Sequence, residues 1–132
     1  MNPFYSSVAE RAGYACEYCR APEAAFNFSF EVDHFVPLAR GGGKGLENLV
    51  LARRSCNSYK AFHQNGAGAG ETRERLSNPR RDVWEEHFEI DPGTLAVMSL
   101  TEIGRGTTNR LRMNAAPQLK ARQLWNRFGI YP

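Results

Sequence analysis

Glu31-Val32-Asp33-His34-Phe35-Val36-Pro37-Leu38-Ala39-Arg40-Gly41-Gly42-Gly43, continued by Glu47-Asn48-Leu49-Val50-Leu51 and by Ser55-Cys56-Asn57-Ser58-Tyr59-Lys60, is the stretch that decides the fold. Upstream of it the chain alternates from Ala24, with Phe26, Phe28, Phe30 and Val32 on one face and Asn27, Ser29 and Glu31 on the other. That is the period of a half-buried strand, and it delivers Asp33 and His34 at its end. The tract Arg40-Gly41-Gly42-Gly43-Lys44-Gly45 cannot hold regular structure and reads as a loop. Leu46 to Leu51 then form a second strand, antiparallel to the first. Ser55 is placed to cap a helix from Cys56 to about Gln64, with Asn57, Lys60, Ala61 and Gln64 along one face. Strict alternation sets Asp33 and His34 on opposite faces, so a twist or bulge before Pro37 is expected to re-aim one of them.

Around this core the pattern predicts further elements. Asn2 and Pro3 open a short helix carrying Phe4, Val8 and Ala12, which Gly13 stops. Residues 65–70 are rich in Gly and Ala, so a flexible loop over 65–77 separates the core, 11–64, from a C-terminal extension, 78–132. In that extension Asn78-Pro79 starts a helix running through Trp84 and Phe88, Asp91-Pro92-Gly93 turns the chain, and Thr94 to Leu100 is a strand. Helices over 103–113 and 117–128 follow, with Gly129 as the stop. There are no internal repeats. The fold class expected is α+β in a single domain spanning 1–132, since 132 residues suffice for one compact core and make two unlikely to be stable.

Net charge is +3, but unevenly spread: residues 1–50 carry 4 basic and 6 acidic side chains, 51–100 carry 7 and 7, and 101–132 carry 6 and 1. The C-terminal surplus suits phosphate backbones, or is simply a solvated helix face. The first residues lack the basic start and apolar run of a secretion signal, and no stretch approaches the ~20 apolar residues of a membrane span. A cytoplasmic protein with no membrane contact is expected, in which Cys16, Cys19 and Cys56 are thiols or metal ligands rather than disulfides.

The chemistry suggested by Asp33, His34, Asn48 and Asn57 is metal-assisted cutting of a phosphodiester. That reaction needs a deprotonated water and a cation to neutralise charge building on phosphorus and the leaving oxygen. His34, neutral near pH 7, is the natural base. A hard cation such as Mg²⁺ or Mn²⁺ prefers oxygen ligands, which Asp33 and the amide of Asn57 supply. Asn48 would fix the imidazole or the loop by hydrogen bonding. Each residue also has a plainer reading, a structural Asp-His pair at a strand end and turn asparagines. Lys60, a helical turn from Asn57, reads either as a phosphate contact or as an ordinary exposed lysine. His63 falls on another face and reads as solvent-exposed.

Val32-Asp33-His34-Phe35-Val36-Pro37-Leu38, the Gly-rich loop, Glu47-Asn48-Leu49-Val50-Leu51 and Cys56-Asn57-Ser58-Tyr59-Lys60 resemble the HNH endonuclease family with its ββα-metal, or His-Me finger, core. The resemblance implies His34 as general base, Asp33 and Asn57 as metal ligands and Asn48 as the middle Asn, a His-Asn-Asn variant. It also implies 5′-phosphate and 3′-hydroxyl products. Trp84-Glu85-Glu86-His87-Phe88, the Gly93 turn, Thr101-Glu102-Ile103-Gly104-Arg105 and Leu111-Arg112-Met113-Asn114 resemble the tails of bacterial stand-alone members.

Many members of that family clamp the core with four Cys around a structural zinc. Here Cys16 and Cys19 supply one pair, but the second reads Arg53-Arg54-Ser55-Cys56, and a guanidinium cannot ligate zinc. His63 lies seven residues beyond Cys56, about 10 Å along a helix at ~1.5 Å per residue, too far to share one metal unless the helix breaks early. Weak or absent structural Zn²⁺ is expected, with Arg53 near the thiols; alternatively the three Cys are small buried hydrophobes.

Two readings compete. The first is a divalent-metal-dependent endonuclease on DNA, with Arg105, Arg110, Arg112, Lys120, Arg122 and Arg127 available for salt-sensitive, weakly specific phosphate contacts. Trp84 and Trp125 read as core rather than as stacking platforms. The second is a catalytically inactive nucleic-acid-binding module on the same scaffold. A third possibility gives the C-terminal part a protein partner, a homodimer included.

Overall fold

A computed structural model describes residues 2–66 and 73–132. It contains α1 (Tyr5–Arg11), β1 (Glu31–His34), β2 (Leu49–Ala52), α2 (Arg54–Lys60), α3 (Trp84–His87), β3 (Phe88–Ile90), β4 (Val97–Ser99), α4 (Glu102–Arg110) and α5 (Ala116–Arg127), with single 3-10 turns at Glu23–Ala25, Leu38–Arg40 and Leu46–Asn48. The α+β class expected from the pattern is the class found. No helix among the described residues is long and apolar enough to cross a membrane.

The order hairpin then helix is as read, but its boundaries are shorter. β1 pairs antiparallel with β2 from Glu31↔Ala52 to His34↔Leu49. The Phe-rich run before it is not strand, because the carboxylate of Glu23 takes the Phe30 amide N–H at 2.8 Å and the Tyr5 hydroxyl at 2.6 Å. Phe26 instead makes edge contacts with Phe30 at 5.0 Å and with Trp125 at 5.7 Å. A donor committed to a side chain cannot join a ladder, so the alternation runs out into an aromatic cluster. All four β2 residues are buried, against Val8 and Ala9 of α1 and Phe35. Burying Leu49 and Leu51 contributes about 1.5–3 kcal/mol apiece and fixes the hairpin to the body of the protein.

Helix α2 starts without a side-chain cap on Arg53, two residues before the Ser55 expected to supply one, and stops at Lys60 rather than near Gln64. The stop is set by Ala61, whose φ of 48° leaves the helical region. Part of the loop expected over 65–77 lies outside the described residues. Its described ends pair, Gly66 N to Glu74 O and Leu76 N to Gln64 O at 3.0 Å each.

In the extension the helix expected from Asn78 is only one turn, Trp84–His87. Asp82 accepts from Asn78 N at 2.7 Å and Asn78 Oδ1 accepts from Arg80 N at 2.9 Å, local bonds that compete with helix formation. Phe88 opens β3, which pairs with β4 around the Asp91 turn, where Asp91 Oδ2 accepts from Thr94 N at 2.9 Å. Thr101 caps α4 through Gly104 N at 3.0 Å. The extension is tied back to the first half by Trp84 Nε1 donating to Tyr18 O and Tyr131 Oη donating to Cys19 O, both 2.8 Å, and by the Arg80–Glu17 ion pair.

Candidate active site

Side chains alternate along β1, so Glu31 and Asp33 share one face, and α2 packs across it. Asn57 Nδ2 donates to Glu31 Oε2 at 3.2 Å, and Arg54 Nε lies 3.9 Å from Glu31 Oε1. One turn further along α2, Lys60 Nζ sits 3.4 Å from Asp33 Oδ2. Asn57 and Asp33, the residues expected to hold a metal, are therefore on facing elements with Glu31 and Lys60 beside them. Reading Glu31 only as the polar side of a strand missed it; its place two residues before Asp33 was the available signal.

Lys60 corrects the expectation of a lysine reaching outward to phosphate. It is fully buried, with its ammonium 5.2 Å from the Phe35 ring centroid. Burial lowers its pKa, against the opposing pull of Asp33; burial likewise raises the pKa of Asp33, against the opposing pull of Lys60. The two atoms face each other as an enclosed ion pair, and neither has a second polar partner among the described residues.

His34 ends β1 half-buried, and its ring makes no hydrogen bond among the described residues. Of the twist or bulge expected before Pro37, a bulge is excluded as far as Phe35: β1 and β2 pair residue for residue, and Phe35 N continues the pairing to Asn48 O at 2.9 Å. Asn48 holds the loop rather than the imidazole. Its Oδ1 accepts from Val36 N, and its Nδ2 donates to Val36 O and Gly43 O, all at 2.9 Å. A Cβ on Gly42 would lie 1.8 Å from Val36 O, so the loop closes on Asn48 only with glycine there.

The basic residues divide. Arg112 stacks on Tyr59 of α2 at 4.9 Å, and Arg110 Nε reaches Asn65 O at 3.4 Å, so both lie near the end of α2. Arg40, not singled out from sequence, lies 5.2 Å over Phe62, whose ring is 4.8 Å from that of His63. His63 is half-buried rather than exposed, and its pKa is lowered by burial and by the charges of Arg110, Arg40 and Lys60. Arg105 is paired with Glu102 at 2.7 Å on α4. Arg122, counted among the phosphate contacts, is completely buried; Nε donates to Leu95 O at 2.7 Å and Nη2 to Asn114 Oδ1 at 2.9 Å, so it serves packing. Trp84 and Trp125 pack against the core.

Cys16, Cys19 and Cys56 are reduced and buried, with their sulfurs within 4.8 Å of one another. They are the one group of three or more His, Cys, Asp or Glu ligand atoms among the described residues so gathered. The thiols of Cys16 and Cys56 hydrogen-bond to Cys19 and, with the nearby charge of Arg53, hold its pKa well below the usual value. Burial pushes Cys16 up to about 12. Arg53 lies beside the group, its guanidinium 5.1 Å over Phe26 and 5.6 Å over Trp125. Although α2 breaks early, His63 does not join the sulfurs.

No curated protein and no solved structure matches the chain. The family model described as HNH endonuclease matches residues 16–62, a span that runs from the first thiol pair through β1, the Asn48-held loop and β2 to the end of α2. That hairpin, loop and helix are the part of the chain that is similar to HNH endonucleases.

Proposed function

We propose that this protein is a divalent-metal-dependent endonuclease that hydrolyses DNA phosphodiester bonds and leaves 5′-phosphate and 3′-hydroxyl ends. The observation that carries the reading is the half-buried Asp33 carboxylate on β1, facing a helix that presents the Asn57 amide within the matched span. An all-oxygen donor pair suits Mg²⁺ or Mn²⁺, which would be held by Asp33 and Asn57 and, when bound, would neutralise charge on the scissile phosphate. His34 accepts a proton from the attacking water as its oxygen bonds to phosphorus; the P–O3′ bond breaks, and the leaving oxygen takes a proton from solvent. Asn48 keeps the following loop in place. Arg110 and Arg112, beside α2, and Arg105 supply contacts to backbone phosphates. The core 11–64 and the extension 78–132 work as one unit, joined at Tyr18, Glu17 and Cys19.

A second reading, a nucleic-acid-binding module without catalysis, is favoured by Lys60, whose ammonium already stands beside the Asp33 carboxylate. Incubating the protein and its His34→Ala variant with supercoiled plasmid, with Mg²⁺, Mn²⁺ or EDTA, separates the two. Cleavage that needs both metal and His34 supports the nuclease. Plasmid binding by both proteins with no cutting by either leaves the binding module.

A further inference from the structure

The geometry points to Glu31 as a positioning residue, which orients the Asn57 amide so that its oxygen, not its nitrogen, is offered to a metal on Asp33. This deepens the reading above and rests on it.

An asparagine amide has two ends of nearly equal size, and a hard cation accepts only the oxygen. Rotation by half a turn about the last side-chain bond exchanges them. A carboxylate accepts hydrogen bonds and cannot donate, so a carboxylate beside the amide admits the NH₂ end alone. Glu31 is that carboxylate: Oε2 takes Asn57 Nδ2 at 3.2 Å, while Oε1 lies 3.9 Å from Arg54 Nε on the same helix. Arg54 and Asn57 are three residues apart on α2, so the two oxygens of Glu31 each meet one of them. With its nitrogen committed to Glu31, the Asn57 amide keeps an oxygen that accepts no other hydrogen bond among the described residues. Glu31 and Asp33 sit two apart on one face of a regular strand, so the acceptor for the nitrogen and the carboxylate that shares the metal flank the same amide.

A partner that orients a ligand in this way typically changes metal affinity by about 10–100-fold, and the 41% exposure of the Glu31 side chain places the effect near the lower end. The test is a Mn²⁺ binding titration read by electron paramagnetic resonance on the full chain, independent of cleavage. Glu31→Ala is expected to weaken Mn²⁺ about tenfold. Glu31→Gln keeps an acceptor oxygen and should stay within about threefold of the parent, while far-ultraviolet circular dichroism checks that both are folded. The deciding background is Asn57→Asp, whose two equivalent oxygens need no orientation. There Glu31→Ala should change affinity less than about twofold.

Loss of a full tenfold in the Asn57→Asp background would make Glu31 a ligand itself and overturn the proposal. No change on Glu31→Ala in the parent, when Asn57→Ala does weaken Mn²⁺, would overturn the proposal and leave the metal reading standing. Unchanged affinity in Asn57→Ala would overturn both.

Discussion

Asn48→Ala removes three hydrogen bonds of 2.9 Å, one accepted from Val36 N and two donated to Val36 O and Gly43 O. At about 0.5–1.5 kcal/mol each, the loss is about 2–4 kcal/mol. The residue is 9% exposed, so water restores only part of those contacts in the variant. A stability of about 5–15 kcal/mol is ordinary for a domain of this size, and the change takes a large share of it. Urea unfolding followed by Trp84 and Trp125 fluorescence should show the midpoint falling by about 1–2 M at unchanged slope, for a slope of about 1–3 kcal/mol/M. Asn48→Asp sharpens the test. Its carboxylate still accepts from Val36 N but faces two carbonyl oxygens that lose their donor. It should match the alanine variant at pH 7 and regain stability below about pH 4, where the protonated acid donates to one of them. A midpoint shift under about 0.3 M for the alanine, or an Asp variant as stable as the parent at neutral pH, would refute the loop-staple role.

Asp82 is held down to about 2 first by its hydrogen bond from Arg75, so its contribution is present above the unfolded carboxylate value and is lost as pH falls from about 4 to about 2. Discounted because Arg75 is 52% exposed, that contribution is about 1–2 kcal/mol. Thermal melts of Asp82→Asn should lack this part of the acid dependence, and an unchanged pH profile counts against the assignment. Arg53→Cys restores a fourth thiol beside Cys16, Cys19 and Cys56 and should make the purified variant retain an equivalent of zinc after dialysis, measured by atomic emission. The parent should retain little, so stoichiometric zinc in it would show that three thiols suffice.

The order of hairpin and helix in the core was legible from sequence because its signals are local. A glycine tract can only be loop, the apolar run Leu49 to Leu51 after it reads as strand, and Asp33, His34, Asn48 and Asn57 all lie within the span 16–62 that the HNH endonuclease model matches. Boundaries were less legible wherever a side chain captured a backbone donor, as Glu23 does at Phe30 and Asp82 at Asn78. The environment of each charge came from packing between elements. Lys60 and Arg122 look alike in sequence, as basic residues on helices, yet both are fully enclosed, one against Asp33 and one against Leu95 and Asn114. Glu31 enters the site for the same reason, since α2 lies across its face of β1. Helical periodicity says which residues share a side, whereas what covers that side depends on contacts between elements distant in the chain.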